Sequence, residues 1–154
     1  MDEKLKKMIA DLKSSDKATA LNASGLLEKM AGEGADISAV IPELIDIMLA
    51  PAGTDYAFMI QDSAARALEL AAKKGVDLSS GVQALEKALS GFVKERAVMA
   101  LSRHYINKKE WEKVDAILKN KQAEFIGQHD GWALKDAAED GIDISPSVPA
   151  LEKE

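Results

Sequence analysis

A chain of 154 residues suits one compact unit or one short run of repeats rather than two independent domains. Its 47% apolar and 30% charged residues fit a folded soluble protein, and 20 Lys and Arg against 26 Asp and Glu leave a net charge of −6, which repels phosphate backbones and disfavours general nucleic-acid binding. With no cysteine, disulfides, thiolate nucleophiles and thiolate metal sites are excluded.

The first sixteen residues, MDEKLKKMIADLKSSD, hold no long apolar run, so no secretory signal is expected. No later stretch reaches the roughly eighteen apolar residues of a membrane-spanning helix, and the default expectation is a cytoplasmic protein without a membrane partner. Residues 1–14 carry an apolar stripe, Leu5, Met8, Ile9 and Leu12, amid lysines and acids. That spacing predicts a single helix whose one apolar face covers the first helix pair behind it.

Four helix pairs are then predicted, over residues 15–50, 56–90, 91–123 and 124–154. Within each, a first helix (A) and a second (B) flank a turn. Three turns share a signature: Gly34-Ala-Asp36-Ile37-Ser38, Gly75-Val-Asp77-Leu78-Ser79 and Gly141-Ile-Asp143-Ile144-Ser145. Glycine suits the left-handed end of helix A, and Asp and Ser suit the free N–H groups that open helix B. The glycines stand 41 and 66 residues apart, and halving the second interval predicts a degenerate turn with Lys108 in the glycine position, followed by Glu110 and Trp111. Seven residues before these four anchors stand Leu27, Leu68, Leu101 and Leu134, and ten after them stand Leu44, Leu85, Leu118 and Leu151. Such columns at a period of 33 to 41 mark an internal repeat whose leucines form a continuous core. Pro42 and Pro149 leave the start of helix B open by a turn. About nine helices are expected in all, counting the first.

The longer first period implies an insertion loop over residues 50–58, with Tyr56 and Phe58 either anchoring a partner or tucked over adjoining helices. In the B helices, offsets five, nine and twelve from the anchor point away from the leucine stripe. They select Ala39, Glu43 and Asp46, then Ser80, Ala84 and Lys87, then Lys113, Ile117 and Asn120, a mixed surface suited to a peptide or simply to solvent. Trp111 shares the column of Ile37, Leu78 and Ile144 and is expected in the core, whereas Trp132 shares no constant column and either stands partly exposed or seals the last repeat. Arg103, Lys108, Lys109, Lys113, Lys119 and Lys121 make residues 103–121 locally basic, as an acidic partner or plain solvation would suit.

Catalytic patterns are missing. His104 and His129 are the two histidines, and His104 falls in the column of Met30, Ala71 and Ala137, where an internal, hydrogen-bonded ring is expected. Asp36, Asp77 and Asp143 are spread too widely for one calcium site, each capping its own turn. No metal, cofactor or catalytic residue is predicted.

The run Val93-Lys94-Glu95-Arg96-Ala97-Val98-Met99-Ala100-Leu101, echoed by Ile60-Gln61-Asp62-Ser63-Ala64-Ala65-Arg66-Ala67-Leu68, resembles the first helix of HEAT repeats. Ile37-Ser38-Ala39-Val40-Ile41-Pro42-Glu43-Leu44 is similar to the second helix of HEAT and armadillo units. The resemblance covers nearly the whole chain, although Thr19-Ala20 and Ile126-Gly127 lack the basic residue. It implies an all-α, short right-handed solenoid of about four helix pairs behind an N-terminal half-repeat. It also implies a non-enzymatic scaffold or adaptor that binds protein or peptide, as most members of such families do, although fold alone does not choose among their functions. Candidate contact residues are Tyr56, Phe58, Glu43, Asp46, Lys87, Lys113 and Trp132. Alternatives are an assembly unit or part of a longer array, self-associating through Val148 and Leu151 of the last repeat, and, against the acidic charge, a HEAT-like enzyme resembling the alkylated-base DNA glycosylases.

Overall fold

Aspartates open the first two helices. Asp2 accepts the Lys4 N–H at 2.9 Å ahead of α1 (Glu3–Leu12), and Asp16 accepts the Thr19 N–H at 3.1 Å ahead of α2 (Lys17–Gly32), each satisfying a donor that the helix leaves without a partner. Beyond these, the computed structural model comprises α3 (Ile41–Leu49), α4 (Ala57–Lys73), α5 (Val82–Ala88), α6 (Lys94–Asn107), α7 (Trp111–Leu118) and α8 (Glu124–Glu139). It describes residues 2–50, 56–89, 94–118 and 124–147, with the backbone alone at 94–95, 118 and 124–131. The described residues are all-helical, without a strand.

The long helices pack in series, α2 on α4, α4 on α6 and α6 on α8. The shorter ones lie against them: α1 on α2, α3 on α4, α5 on α6, and α7 on both α6 and α8. Small residues make the close approach possible, with Ala20, Ala23 and Ala31 on α2 and Ala64, Ala65, Ala67, Ala71 and Ala72 on α4 all buried. Leu27, Leu68, Leu101 and Leu134 are buried in one continuous core with Leu44 and Leu85. Leu118 and Leu151, the other half of the second column, lie outside the described side chains.

The turns after α2, α4 and α8 share one geometry. Gly34, Gly75 and Gly141 have φ of 85°, 85° and 87°, and the next residue's N–H reaches back across the helix end, as in Ala35 N to Met30 O at 3.0 Å and Val76 N to Ala71 O at 2.9 Å. This is the glycine C-cap motif, closed by a backbone conformation that a Cβ disfavours. Asp36, Asp77 and Asp143 then accept the N–H of Ser38, Ser79 and Ser145 at 3.0, 2.9 and 3.0 Å, each capping its own turn. A single 3-10 turn comes next (Ser38–Val40, Ser79–Gly81, Ser145–Ser147); after the first of these the α-helix begins at Ile41, which places Pro42 at its second residue.

The third turn corrects the sequence expectation. The left-handed residue is Lys109 (φ 59°), not Lys108, and Glu110 N reaches Tyr105 O at 2.9 Å, the same bond as in the glycine turns. The intervals between equivalent positions are therefore 41, 34 and 32. No 3-10 turn intervenes, and α7 starts two residues after Lys109, where α3 and α5 start seven after their glycines. The short turn has a local cause: residues 111–113, Trp-Glu-Lys, lack the Asp-x-Ser pattern that builds the longer connection, and Glu110 serves instead, its carbonyl taking the N–H of Lys113 and Val114.

One boundary also moves. Phe58 belongs to the first turn of α4 rather than to the 50–58 loop, of which residues 51–55 lie outside the described residues. The last B helix is described only as its opening 3-10 turn, so Val148 and Leu151 fall outside as well.

Candidate binding groove

Between α5 and α7 lies an open groove of about 320 Å³, lined by Glu86 and Leu89 on one side, Lys113, Ala116 and Ile117 on the other, and floored by Leu101 and Tyr105 of α6. The spacings explain the convergence. Residues three or four apart share a helix face, so 86 and 89, 101 and 105, and 113, 116 and 117 each present one side. The lining is largely apolar with a few converging polar groups, the usual make-up of a ligand site.

Those polar groups are fixed. Tyr105 is buried, and its hydroxyl donates to Glu86 Oε1 at 2.5 Å. Burial first, then the Glu86 carboxylate, push the phenol well above the usual tyrosine range, so it acts as a donor and not as an acid. The Lys113 ammonium lies 5.2 Å from the centre of the Tyr105 ring and 3.1 Å from Glu110 Oε2, a cation held between a π face and a carboxylate.

Beside the groove, His104 is buried and accepts the Leu78 N–H through Nδ1 at 3.3 Å, as its column predicts. Desolvation pushes its pKa below the ordinary value, opposed by the charge of Asp77. Hydrogen bonds from the Ser79 hydroxyl and N–H, with Lys108 Nζ 3.4 Å away, hold the Asp77 carboxyl at about 2.

Of the residues predicted to meet a partner, Lys113 lines the groove. Lys87 is exposed on α5 beside Glu86. Asp46 is exposed on α3, and Glu43 is half-buried there with Oε2 enclosed and unpartnered. Tyr56 is half-buried against the core and donates to Ser15 O at 3.0 Å, the tucked alternative. Phe58 is 50% exposed on α4 and Trp132 50% exposed on α8, neither lining the groove. Trp111 packs against the core but stays half-exposed at the start of α7. Ile117 is a correction. Expected to face outward, it is buried, and Glu43 and Ala84 at the same offset in α3 and α5 are half-buried, so that offset lies at the margin of the core, where an apolar side chain is covered.

The basic run is also largely engaged. Arg103 is buried and paired with Asp140 at 3.0 Å, while Lys108 pairs with Asp77 and Lys113 with Glu110. Lys119 and Lys121 lie outside the described residues. Glu86, Tyr105 and Ala116 are not singled out by the sequence patterns, whereas Leu89 continues the apolar stripe of Leu78, Val82 and Leu85. The available signal was Tyr105 itself, one helical turn after Leu101, since a buried tyrosine needs an acceptor.

A second cleft of about 480 Å³ separates α1 from α2, lined by Lys4, Lys7, Met8, Asp11, Thr19, Asn22, Ala23 and Leu26. It is more polar, and Lys7 and Asp11 pair with each other at 2.9 Å. Among the described residues no three His, Asp or Glu side chains are grouped to hold a metal ion, and no helix is long and apolar enough to cross a membrane. Compared with family models, curated proteins and solved structures, the chain matches none.

Proposed function

We propose that this chain is a short helical solenoid of the HEAT or armadillo kind that works as a non-enzymatic binding module for a protein or peptide. The solenoid reading draws support from the serial packing of α2, α4, α6 and α8, the shared core of Leu27, Leu68, Leu101 and Leu134, and the repeated glycine turns. The observation that carries the function is the α5–α7 groove, an apolar floor flanked by one carboxylate and one ammonium. Tyr105 is bonded to Glu86 and Lys113 to Glu110, an arrangement suited to contact and orientation.

The test is selection of a random-peptide phage library on the immobilised chain and on Ala116→Arg, which places a long charged side chain in the groove from an exposed helical position. A common motif recovered by the parent chain and lost in the variant is the expected outcome. Repeated rounds without enrichment count against the reading.

A further inference from the structure

We propose that the α5–α7 groove takes a basic amphipathic peptide segment, with one large apolar side chain against Leu89, Leu101, Ala116 and Ile117 and a flanking Lys or Arg against Glu86. The inference rests on the peptide-binding reading above and specifies its ligand.

Charge placement selects that ligand. Most described acids on the long helices are compensated from within the chain. Glu28 pairs with Arg66 at 3.8 Å, Asp62 and Glu69 with Arg96 at 3.6 and 3.1 Å, Asp136 with Lys73 at 3.2 Å, and Asp140, just past α8, with Arg103 at 3.0 Å. Of the short helices, α1 pairs its own acids, Glu3 with Lys6 at 3.1 Å and Asp11 with Lys7 at 2.9 Å, but α3, α5 and α7 differ. Glu43 and Asp46 on α3, Glu86 on α5, and Glu112 and Asp115 on α7 have no ion-pair partner among the described residues. Asp115 accepts the Ser147 hydroxyl, at 2.9 Å. Against these five acids, α3, α5 and α7 carry Lys87 and Lys113, and Lys113 is held by Glu110. The chain has thus satisfied most of its long-helix acids internally and left a negative excess on α3, α5 and α7.

Glu86 brings that excess to the groove. The Tyr105 hydroxyl fixes one carboxylate oxygen, which leaves the other for an incoming cation beside an apolar floor. A nucleic acid would meet uncompensated carboxylates, and a second copy of a chain with net charge −6 would meet its own sign. A cationic peptide with one apolar anchor satisfies both halves of the site.

The experiment uses three fluorescein-labelled twelve-residue peptides sharing a central Leu-x-x-Leu, flanked by Lys and Arg, by Ser, or by Glu, titrated with the chain in fluorescence anisotropy. The basic peptide should bind at least about ten-fold more tightly than the Ser-flanked one, with the Glu-flanked one weakest. Glu86→Gln should cut the basic-over-Ser ratio by about three-fold or more, raised salt should reduce it, and neutralising the exposed α8 acid in Glu139→Gln should leave it unchanged. Ala116→Arg should abolish binding with the far-UV circular dichroism unaltered. Equal binding of the Ser-flanked and basic peptides, lost in Ala116→Arg, overturns the basic preference while the groove stands as a peptide site. Basic-peptide binding that survives Ala116→Arg, or falls equally in Glu139→Gln, overturns the site as general charge attraction. No binding of any probe overturns the inference, whereas the function proposed above falls only if the library selection is empty as well.

Discussion

His104 shows how a buried titratable group ties a helix to its neighbour's turn. Burial lowers its pKa below the ordinary 6.5, opposed by the charge of Asp77, and its Nδ1 accepts the Leu78 N–H, a bond that needs that nitrogen unprotonated. An unfolded chain takes the proton first as pH falls. The stabilisation is therefore complete above about pH 6.5 and declines progressively below it. Asp77 has its carboxyl held at about 2, and its contribution disappears only below the ordinary carboxylate range. Urea melts at pH 7.5 and 5.5 should show the parent chain losing stability between the two. In His104→Asn, which retains an acceptor without titrating, the loss should be smaller. An equal loss in both would detach the pH dependence from this ring. That His104 is internal was legible from its column. That its partner is a backbone N–H from the preceding unit was not, because 26 residues separate the two.

At the level of the hairpin, the three glycine turns were legible because glycine, aspartate and serine each have a local reason to stand where they do. The lysine turn between α6 and α7 was misplaced by one residue because equal spacing was the available guide and Lys109 carries no glycine-like signal. An L-residue at φ 59° crowds its Cβ against the backbone at a cost of about 1–2 kcal/mol, part of which glycine's freer unfolded state would offset. Lys109→Gly should accordingly stabilise the chain by about 0.5–1 kcal/mol in denaturant melts, whereas Lys108→Gly, on the helical side of the turn, should give no gain. A gain at 108 alone would restore the equal spacing. Gly81 illustrates a different need: a Cβ there would lie 2.2 Å from Ile45 Cδ1 and 2.9 Å from Ile41 Cγ2, so the second 3-10 turn sits closely on α3. The groove depended on just such an approach of elements. Glu86 and Tyr105 are 19 residues apart on different helices, and no spacing rule predicts their bond.

Across the molecule, α6 is the centre. It packs between α4 and α8, touches α5 and α7, and buries an uninterrupted run from Ala100 to Ile106. Leu101→Ala would open a void in the core beneath the α5–α7 groove, at a cost of about 2–5 kcal/mol. Chemical denaturation should show that loss within one cooperative transition. A local loosening that leaves the melt of α1 and α2 unchanged would mean that the helices do not share one core. The leucine column was legible because burial selects the same residue type in every long helix. The ion pairs that stitch those helices together, Arg66 to Glu28 and Arg96 to Asp62 and Glu69, were less legible: Glu28 and Glu69 each stand six residues before a turn glycine, but their arginines share no such position.

Two lengths of connector operate side by side here. Eight residues join α2 to α3 and α4 to α5, and three join α6 to α7, yet Leu101 and Leu134 on either side of the short one are as buried as Leu27 and Leu68. The packing of one long helix on the next thus does not depend on the length of the bend that follows it, and a bend shortened or lengthened by a few residues should move the short helix beyond it while that packing persists.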